Sequence, residues 1–189
     1  MTLENASDNE LMLLVRDGDL QRLGVLFERY SAKLLGFFVR HTSKRDASED
    51  LVQEVFLRIL KYRHTFRGEA PFSVWMYRLA HNVSSDYYRK WRREVPADES
   101  IAETPDDDPT AEESLVRNEE HALLSRALDR LSEDKREVLI LSRYQELKYE
   151  EIARVLECPV GTVKARVHFA LKDLRAEYGK LTTSREEKG

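Results

Sequence analysis

Three observations predict an all-α fold built as two small helical domains. The 189 residues include only 7 Gly and 5 Pro, so helix breakers are scarce. Apolar residues recur at three- and four-residue spacing along most of the chain, the period of amphipathic helices. Between residues 94 and 115 that period stops, in a stretch with three prolines, nine acids and no base. A segment of this composition has too little to bury to offset its ordering entropy. The reading is therefore an N-terminal helical domain over 1–93, an acidic flexible linker over 94–115, a C-terminal domain over 116–178 and a disordered tail over 179–189. At 41% hydrophobic residues a core is available, though each domain alone is near the size where stability is marginal.

The elements follow in order. Ser7-Asp8-Asn9-Glu10 has the spacing of a capping box and opens a helix to about Arg16. Gly18-Asp19 interrupts it, and a longer helix carries Leu20, Leu23, Leu26, Phe27, Tyr30, Leu34, Phe37 and Phe38. The next helix runs from about Asp46 to Tyr62. A loop over His64 to Ala70 precedes a helix from Pro71, a residue suited to a first turn, to Arg93. Beyond the linker, helices are predicted from Ser114 to Leu131 and, capped by Ser132, from Glu133 to Tyr144. Two more follow, from Tyr149 to Leu156 and from Val160 to Tyr178.

The net charge of −4 conceals segregation. Residues 61–93 carry eight Lys/Arg against Glu69 and Asp86, a local +6, whereas 94–115 amount to −9. A basic block beside an acidic one suggests a polyanion partner for the first and a different task for the second. The single Cys158 excludes an internal disulfide and a cysteine-based zinc site, and suits a reducing cytoplasm. The N-terminus lacks a basic region followed by an apolar run, and no apolar stretch is long enough to span a bilayer. Neither cofactor nor metal is expected.

Three surfaces carry chemistry. On the helix 46–62, Leu51, Val52, Val55, Phe56 and Ile59 form the buried stripe. Asp50, Gln53, Glu54 and Lys61 face outward with Leu57 among them, an apolar anchor inside a polar rim. A lone exposed leucine is also commonplace, and spacing does not decide between the two. On the helix 71–93, Phe72, Trp75, Met76, Leu79, Ala80, Val83 and Tyr87 share one face. The opposite face shows Val74, Tyr77, Arg78, His81, Asn82, Ser85, Tyr88, Arg89 and Arg92 without an acid. Rings and cations together suit a single nucleic-acid strand, and the preceding loop, with Phe66, Arg67 and Gly68, could receive an unstacked base. A basic helix at a protein interface is the alternative.

The third surface is a helix-turn-helix over Tyr149–Val163, whose short turn at Glu157-Cys158-Pro159 sets the crossing angle. Val160, Val163, Val167, Ala170, Leu171 and Leu174 face inward on the second helix. Thr162, Ala165, Arg166, Phe169 and Lys172 face outward with His168 at the edge, and Lys164 lies in the same segment. Small residues there allow close approach to a groove while cations reach phosphates or guanine edges.

These segments resemble the extracytoplasmic-function (ECF) subfamily of bacterial RNA polymerase sigma factors, in the family's order and over residues 7–178. Asp50-Leu51-Val52-Gln53-Glu54-Val55-Phe56-Leu57 is similar to the segment that grips the β′ clamp helices. Phe72 to Asn82, continued by Asp86-Tyr87-Tyr88-Arg89, resembles the helix that reads the −10 element. Tyr149-Glu150-Glu151-Ile152-Ala153 with Pro159 to Arg166 resembles the helix-turn-helix that reads the −35 element. The resemblance implies a non-enzymatic subunit with core RNA polymerase (β′ clamp helices and β subunit) and promoter DNA as partners, commonly restrained by an anti-sigma factor. It implies a cytoplasmic chain, held at the inner membrane face where that anti-sigma factor is membrane-borne. Implied polymerase contacts are Asp50, Gln53, Glu54 and Leu57. Implied −10 contacts are Phe66, Arg67, Tyr77, Arg78, His81, Asn82, Tyr88 and Arg89; implied −35 contacts are Thr162, Lys164, Ala165, Arg166, Phe169 and Lys172. Two positions depart from the family pattern. Lys148 stands where a Ser cap is usual, and Phe169 where a basic residue is frequent.

The rival reading is a two-domain regulator that binds operators through the helix-turn-helix alone, which leaves the 71–93 helix and Leu57 without a role. Five scattered histidines, no Gly-rich phosphate loop and no nucleophile–base pair argue against an enzyme.

Overall fold

Ser7 opens the first helix with the reciprocal bonds its spacing predicts. The Glu10 amide donates to Ser7 Oγ at 3.3 Å and the Ser7 amide donates to Glu10 Oε2 at 2.8 Å. The computed structural model describes residues 6–94 and 112–186; residues 95–111, the greater part of the acidic segment, lie outside them. Helix α1 (Asp8–Arg16) buries Leu11, Met12 and Val15 and stops at Gly18, whose φ of 114° favours a residue without Cβ. Helix α2 (Arg22–Thr42) buries Leu26, Tyr30, Leu34, Phe37, Phe38 and His41. Helix α3 (Arg45–Tyr62) turns the predicted stripe of Leu51, Val52, Val55, Phe56 and Ile59 inward. A 3₁₀ turn (Arg63–Thr65) and the loop to Pro71 lead into α4 (Phe72–Glu94). Asn9 fastens that loop: its Nδ2 donates to the Gly68 and Ala70 carbonyls at 3.3 and 3.1 Å. Its Oδ1 accepts the first amide of α4, from Phe72, at 2.7 Å.

The second half comprises α5 (Glu112–Asp129), α6 (Glu133–Leu139) continued by a π-helical turn (Ile140–Tyr144), α7 (Tyr149–Val155) and α8 (Val160–Glu186). No strand occurs among the described residues. Helix α8 packs on α5, α6 and α7 and carries the inward Val163, Val167 and Ala170. Some boundaries differ from the sequence reading. Helix α5 begins at Glu112, inside the segment 94–115 read as a flexible linker. The helix predicted to run unbroken to Tyr144 changes to π geometry at Ile140. The tail expected to be disordered from residue 179 is helical to Glu186. Leu181 is its anchor, 6% exposed in a small cluster with Leu123 and Ala127, so the C-terminal turns are held by tertiary contact.

A single apolar cluster runs through both halves, joining Phe37, Val74, Tyr77 and Ala80 to Leu139, Ile140, Leu147 and Ile152. Helix α4 lies against α7, and α2 lies against α5, α6 and the π turn. Arg136 is one polar tie across this seam. Its guanidinium donates to the His41 carbonyl at the end of α2 at 2.7 Å, and to the Leu128 carbonyl in the last turn of α5 and the Leu131 carbonyl just beyond it at 3.0 and 3.3 Å. Carbonyls at a helix C-terminus lack intrahelical donors, and a guanidinium supplies several at once.

Candidate functional site

The outer face of α3 is presented as predicted. Leu57 is 61% exposed, Asp50 and Gln53 are exposed, and Glu54 is half-buried because Arg58 ties it down at 2.7 Å. Arg58 also reaches Asp86 of α4 at 2.8 Å, and these two carboxylates hold its guanidinium above its ordinary pKa against the cost of burial. An additional exposed ring lies beside the stripe: Phe27, 45% exposed, contacts Phe56 with centroids 4.8 Å apart. It reads as core from periodicity alone, yet it stands half out of the core beside Phe56.

The basic helix departs further from expectation. Phe66, predicted to lie open for a base, is 2% exposed. Its ring meets Trp75 edge-on at 5.4 Å and Phe72 at 6.2 Å, so it closes the bottom of the N-terminal core. Arg67, Arg78, Asn82 and Arg89 are exposed. Val74 and Tyr77, assigned to the outward face, are 3% and 2% exposed, because the C-terminal half covers that face. The Tyr77 hydroxyl donates to Gln145 Oε1, and burial drives its pKa up. The Tyr88 hydroxyl donates to the His41 carbonyl and is likewise pushed up by burial. His81 Nδ1 lies 2.9 and 3.0 Å from the two oxygens of Glu137. That contact raises the imidazole pKa above its ordinary value despite desolvation. Arg78 pairs with Glu157 at 2.8 Å and Arg92 with Glu133 at 2.6 Å, while Arg89 pairs with Asp86 of its own helix. Asp86 apart, projecting one helix could not reveal these partners, which lie 41 to 79 residues away in the chain.

The helix-turn-helix has the predicted turn. Glu157 takes a left-handed φ of 49°, and the Cys158 amide donates back to the Ala153 carbonyl at 3.1 Å. Lys148 stands at the α7 N-cap in extended geometry. Glu151 Oε2 accepts its amide at 2.8 Å, but a lysine side chain has no acceptor to return to the first turn, so only half of a capping box forms. On α8, Lys164, Ala165, Phe169 and Lys172 are exposed and Thr162 is half-buried. Arg166 is held by Asp134 of α6 at 3.5 Å. His168 stacks edge-on against Phe169 with centroids 5.5 Å apart. Cys158 is half-buried.

His41 is the one buried histidine. Neither ring nitrogen has a hydrogen-bond partner, the ring lies flat against Phe37 at 5.6 Å, and burial drives its pKa down. Among the described residues no group of three or more His, Cys, Asp or Glu is placed to hold a metal, and no helix is long and apolar enough to cross a membrane.

Comparisons with known proteins cover both halves. The Sigma-70 region 2 model matches residues 26–94 and the Sigma-70, region 4 model matches 121–174. The ECF RNA polymerase sigma-E factor of Haemophilus influenzae is 31% identical over 173 residues, 87% of this chain and 91% of that protein. The RNA polymerase sigma-H factor of Pseudomonas aeruginosa is 31% identical over 174 residues, covering 87% and 90%. Among solved structures, CnrH in complex with the cytosolic domain of CnrY superposes with a TM-score of 0.68 at 21% identity, over 95% of this chain and 99% of that one. RpoE of Bartonella quintana, in complex with the anti-sigma factor NepR, gives 0.66 at 27% identity over 82% and 95%.

Proposed function

Because this chain belongs to the extracytoplasmic-function family of RNA polymerase sigma factors, we propose that it docks core polymerase through the outer face of α3, captures a melted −10 strand along α4 and reads a −35 duplex through the start of α8. One observation carries the reading: the region 2 and region 4 matches lie in one chain, in that order, and each ends on a surface of fitting chemistry. Leu57 inside its polar rim fits a protein interface. The exposed Arg67, Arg78, Asn82 and Arg89 offer cations and an amide edge to an unpaired strand. Lys164, Ala165, Phe169 and Lys172 offer a groove-facing row of cations, a small residue and an apolar ring.

The roles divide by residue type. Lys164 and Lys172 are long, mobile point charges suited to phosphates, which position the protein without reading sequence. Arg166 has the fork geometry that reads a guanine edge, and an Arg→Ala change at such a position costs about 1–3 kcal/mol and relaxes specificity there. On α4, Asn82 presents both a donor and an acceptor and can read the edge of an extruded base. A sigma factor works where RNA polymerase works, in the cytoplasm. Restraint by an anti-sigma factor belongs to the same proposal, and a membrane-borne one would hold the chain at the inner membrane face. Run-off transcription with core polymerase on a genomic promoter library tests the whole reading. Core-dependent transcripts sharing −10 and −35 sequences are expected. Operator binding without any core-dependent transcript would favour a plain regulator.

A further inference from the structure

Helix α1 lies outside both family matches, which cover residues 26–94 and 121–174. Its Leu11, Met12 and Val15 turn into the core. Asn9, Leu13 and Arg16, spaced four and three residues apart, share a second face, and that face carries the loop before α4. Asn9 Nδ2 donates to the Gly68 and Ala70 carbonyls at 3.3 and 3.1 Å, while its Oδ1 accepts the Phe72 amide at 2.7 Å. The Leu13 methyl groups lie under Gly68, where an added Cβ would meet them at 3.6 Å. Arg16 Nη1 donates to the Phe66 carbonyl at 3.5 Å. These supports fall on alternate residues of the loop. Phe66 is buried and Gly68 and Ala70 are half-buried, whereas Arg67 and Glu69 between them are exposed. Neither Arg67 nor Glu69 has a hydrogen bond or ion pair among the described residues. Gly68 takes a φ of 76°, and a glycine adopts many other conformations as readily, so its own backbone does not fix the path of the loop.

We propose that α1 is a positioning element for strand capture: Asn9, with Leu13 and Arg16 beside it, sets the loop so that Arg67 meets the melted −10 strand in one geometry. The inference rests on reading Arg67 as a strand contact. Three hydrogen bonds from one side-chain amide tie the loop to α1 at one end and to the start of α4 at the other. A loop held in its binding shape is spared the ordering cost of association. Releasing it therefore weakens binding although every group that touches the strand is still present.

The test is a double-mutant cycle. Core RNA polymerase is loaded with the wild-type chain, N9A, R67A or N9A/R67A. Each holoenzyme is titrated against a fluorescein-labelled duplex pre-melted over a short stretch of mixed sequence, with core alone as background. Asn9→Ala and Arg67→Ala are each expected to weaken binding about tenfold. In the Arg67→Ala background, Asn9→Ala is expected to add no further loss, because a residue that acts through Arg67 has nothing left to position. Equal loss in both backgrounds makes Asn9 a general support of the fold and overturns the proposal. Wild-type affinity in N9A overturns it as well. Wild-type affinity in R67A overturns it too, and places the fault in the reading of the loop as a strand contact. Should N9A not fold, N9D keeps the acceptor for the Phe72 amide, loses only the two donated bonds and carries the same cycle.

Discussion

A leucine on a helix usually belongs to the buried stripe, and on α3 the stripe is complete without Leu57. Its 61% exposure makes truncation cheap for the fold and informative for the interface. Leu57→Ala or Gln53→Ala is expected to weaken core-polymerase binding by about 2 kcal/mol or more if each is a hot spot. The thermal midpoint should stay near wild type. Unchanged affinity in both variants would remove this face from the interface. Phe66 and Asn82 make the opposite pair. Phe66 sits in an aromatic core with Phe72 and Trp75, so Phe66→Ala should cost about 3–5 kcal/mol of stability whatever its role with DNA. Asn82 is exposed, and Asn82→Ala should stay within about 0.5 kcal/mol of wild-type stability. It should still reduce open-complex formation on duplex promoters, with partial rescue on a template pre-melted at −10. Permanganate footprinting on both templates checks this, and no loss on either would exclude Asn82. Leu57 was legible because exposure there depends on one helix's own geometry. Phe66 was not, because a loop aromatic shows no period and its burial is decided by Trp75 and Phe72.

At the scale of elements, periodicity located the described helices to within a few residues, the end of α8 excepted, since each buries one stripe. It failed where stability comes from elsewhere. Gly179, Thr182 and Thr183 are weak helix formers, yet α8 continues past them because Leu181 is buried near α5. The start of α7 shows the converse, a local deficit read correctly from one residue. Lys148 has the backbone geometry of an N-cap and lacks the acceptor. Lys148→Ser should complete the box with Glu151 and add roughly 0.5–1 kcal/mol. In a chain of this size that raises the melting midpoint by about 1–4 °C. Differential scanning calorimetry decides the matter. A flat or lowered midpoint would mean that the lysine contributes something the hydroxyl cannot replace.

At the scale of the whole molecule, the least legible feature is how the halves meet, because residues far apart in sequence carry it and no local pattern encodes them. That contact contains a group able to respond to pH. His81 faces Glu137 and Asp134 from α6 and Glu157 from the turn after α7, with Arg78 nearby on its own helix. The hydrogen bond to Glu137 raises its pKa first, burial opposes this, and the three carboxylates add to the rise. His41, at the end of α2 on the same side of the seam as His81, has its pKa driven down by burial and by the nearby Arg136, with Glu137 acting against them. A histidine whose pKa is raised in the closed form binds its proton more tightly there than in the open form. The proton therefore favours closure fully below the ordinary imidazole pKa, and its contribution is lost as pH rises through the raised value. Wild-type protein is thus expected to expand as pH rises from below the ordinary imidazole pKa through the raised value, at constant ionic strength. His81→Gln retains a hydrogen-bonding side chain without the titration and should show a flat profile. Scattering is the right measurement, since His81 also belongs to the proposed strand surface and DNA binding would mix the two effects. A wild-type radius that does not change across this range, or a His81→Gln profile that matches the wild type, would show that this histidine does not govern the seam.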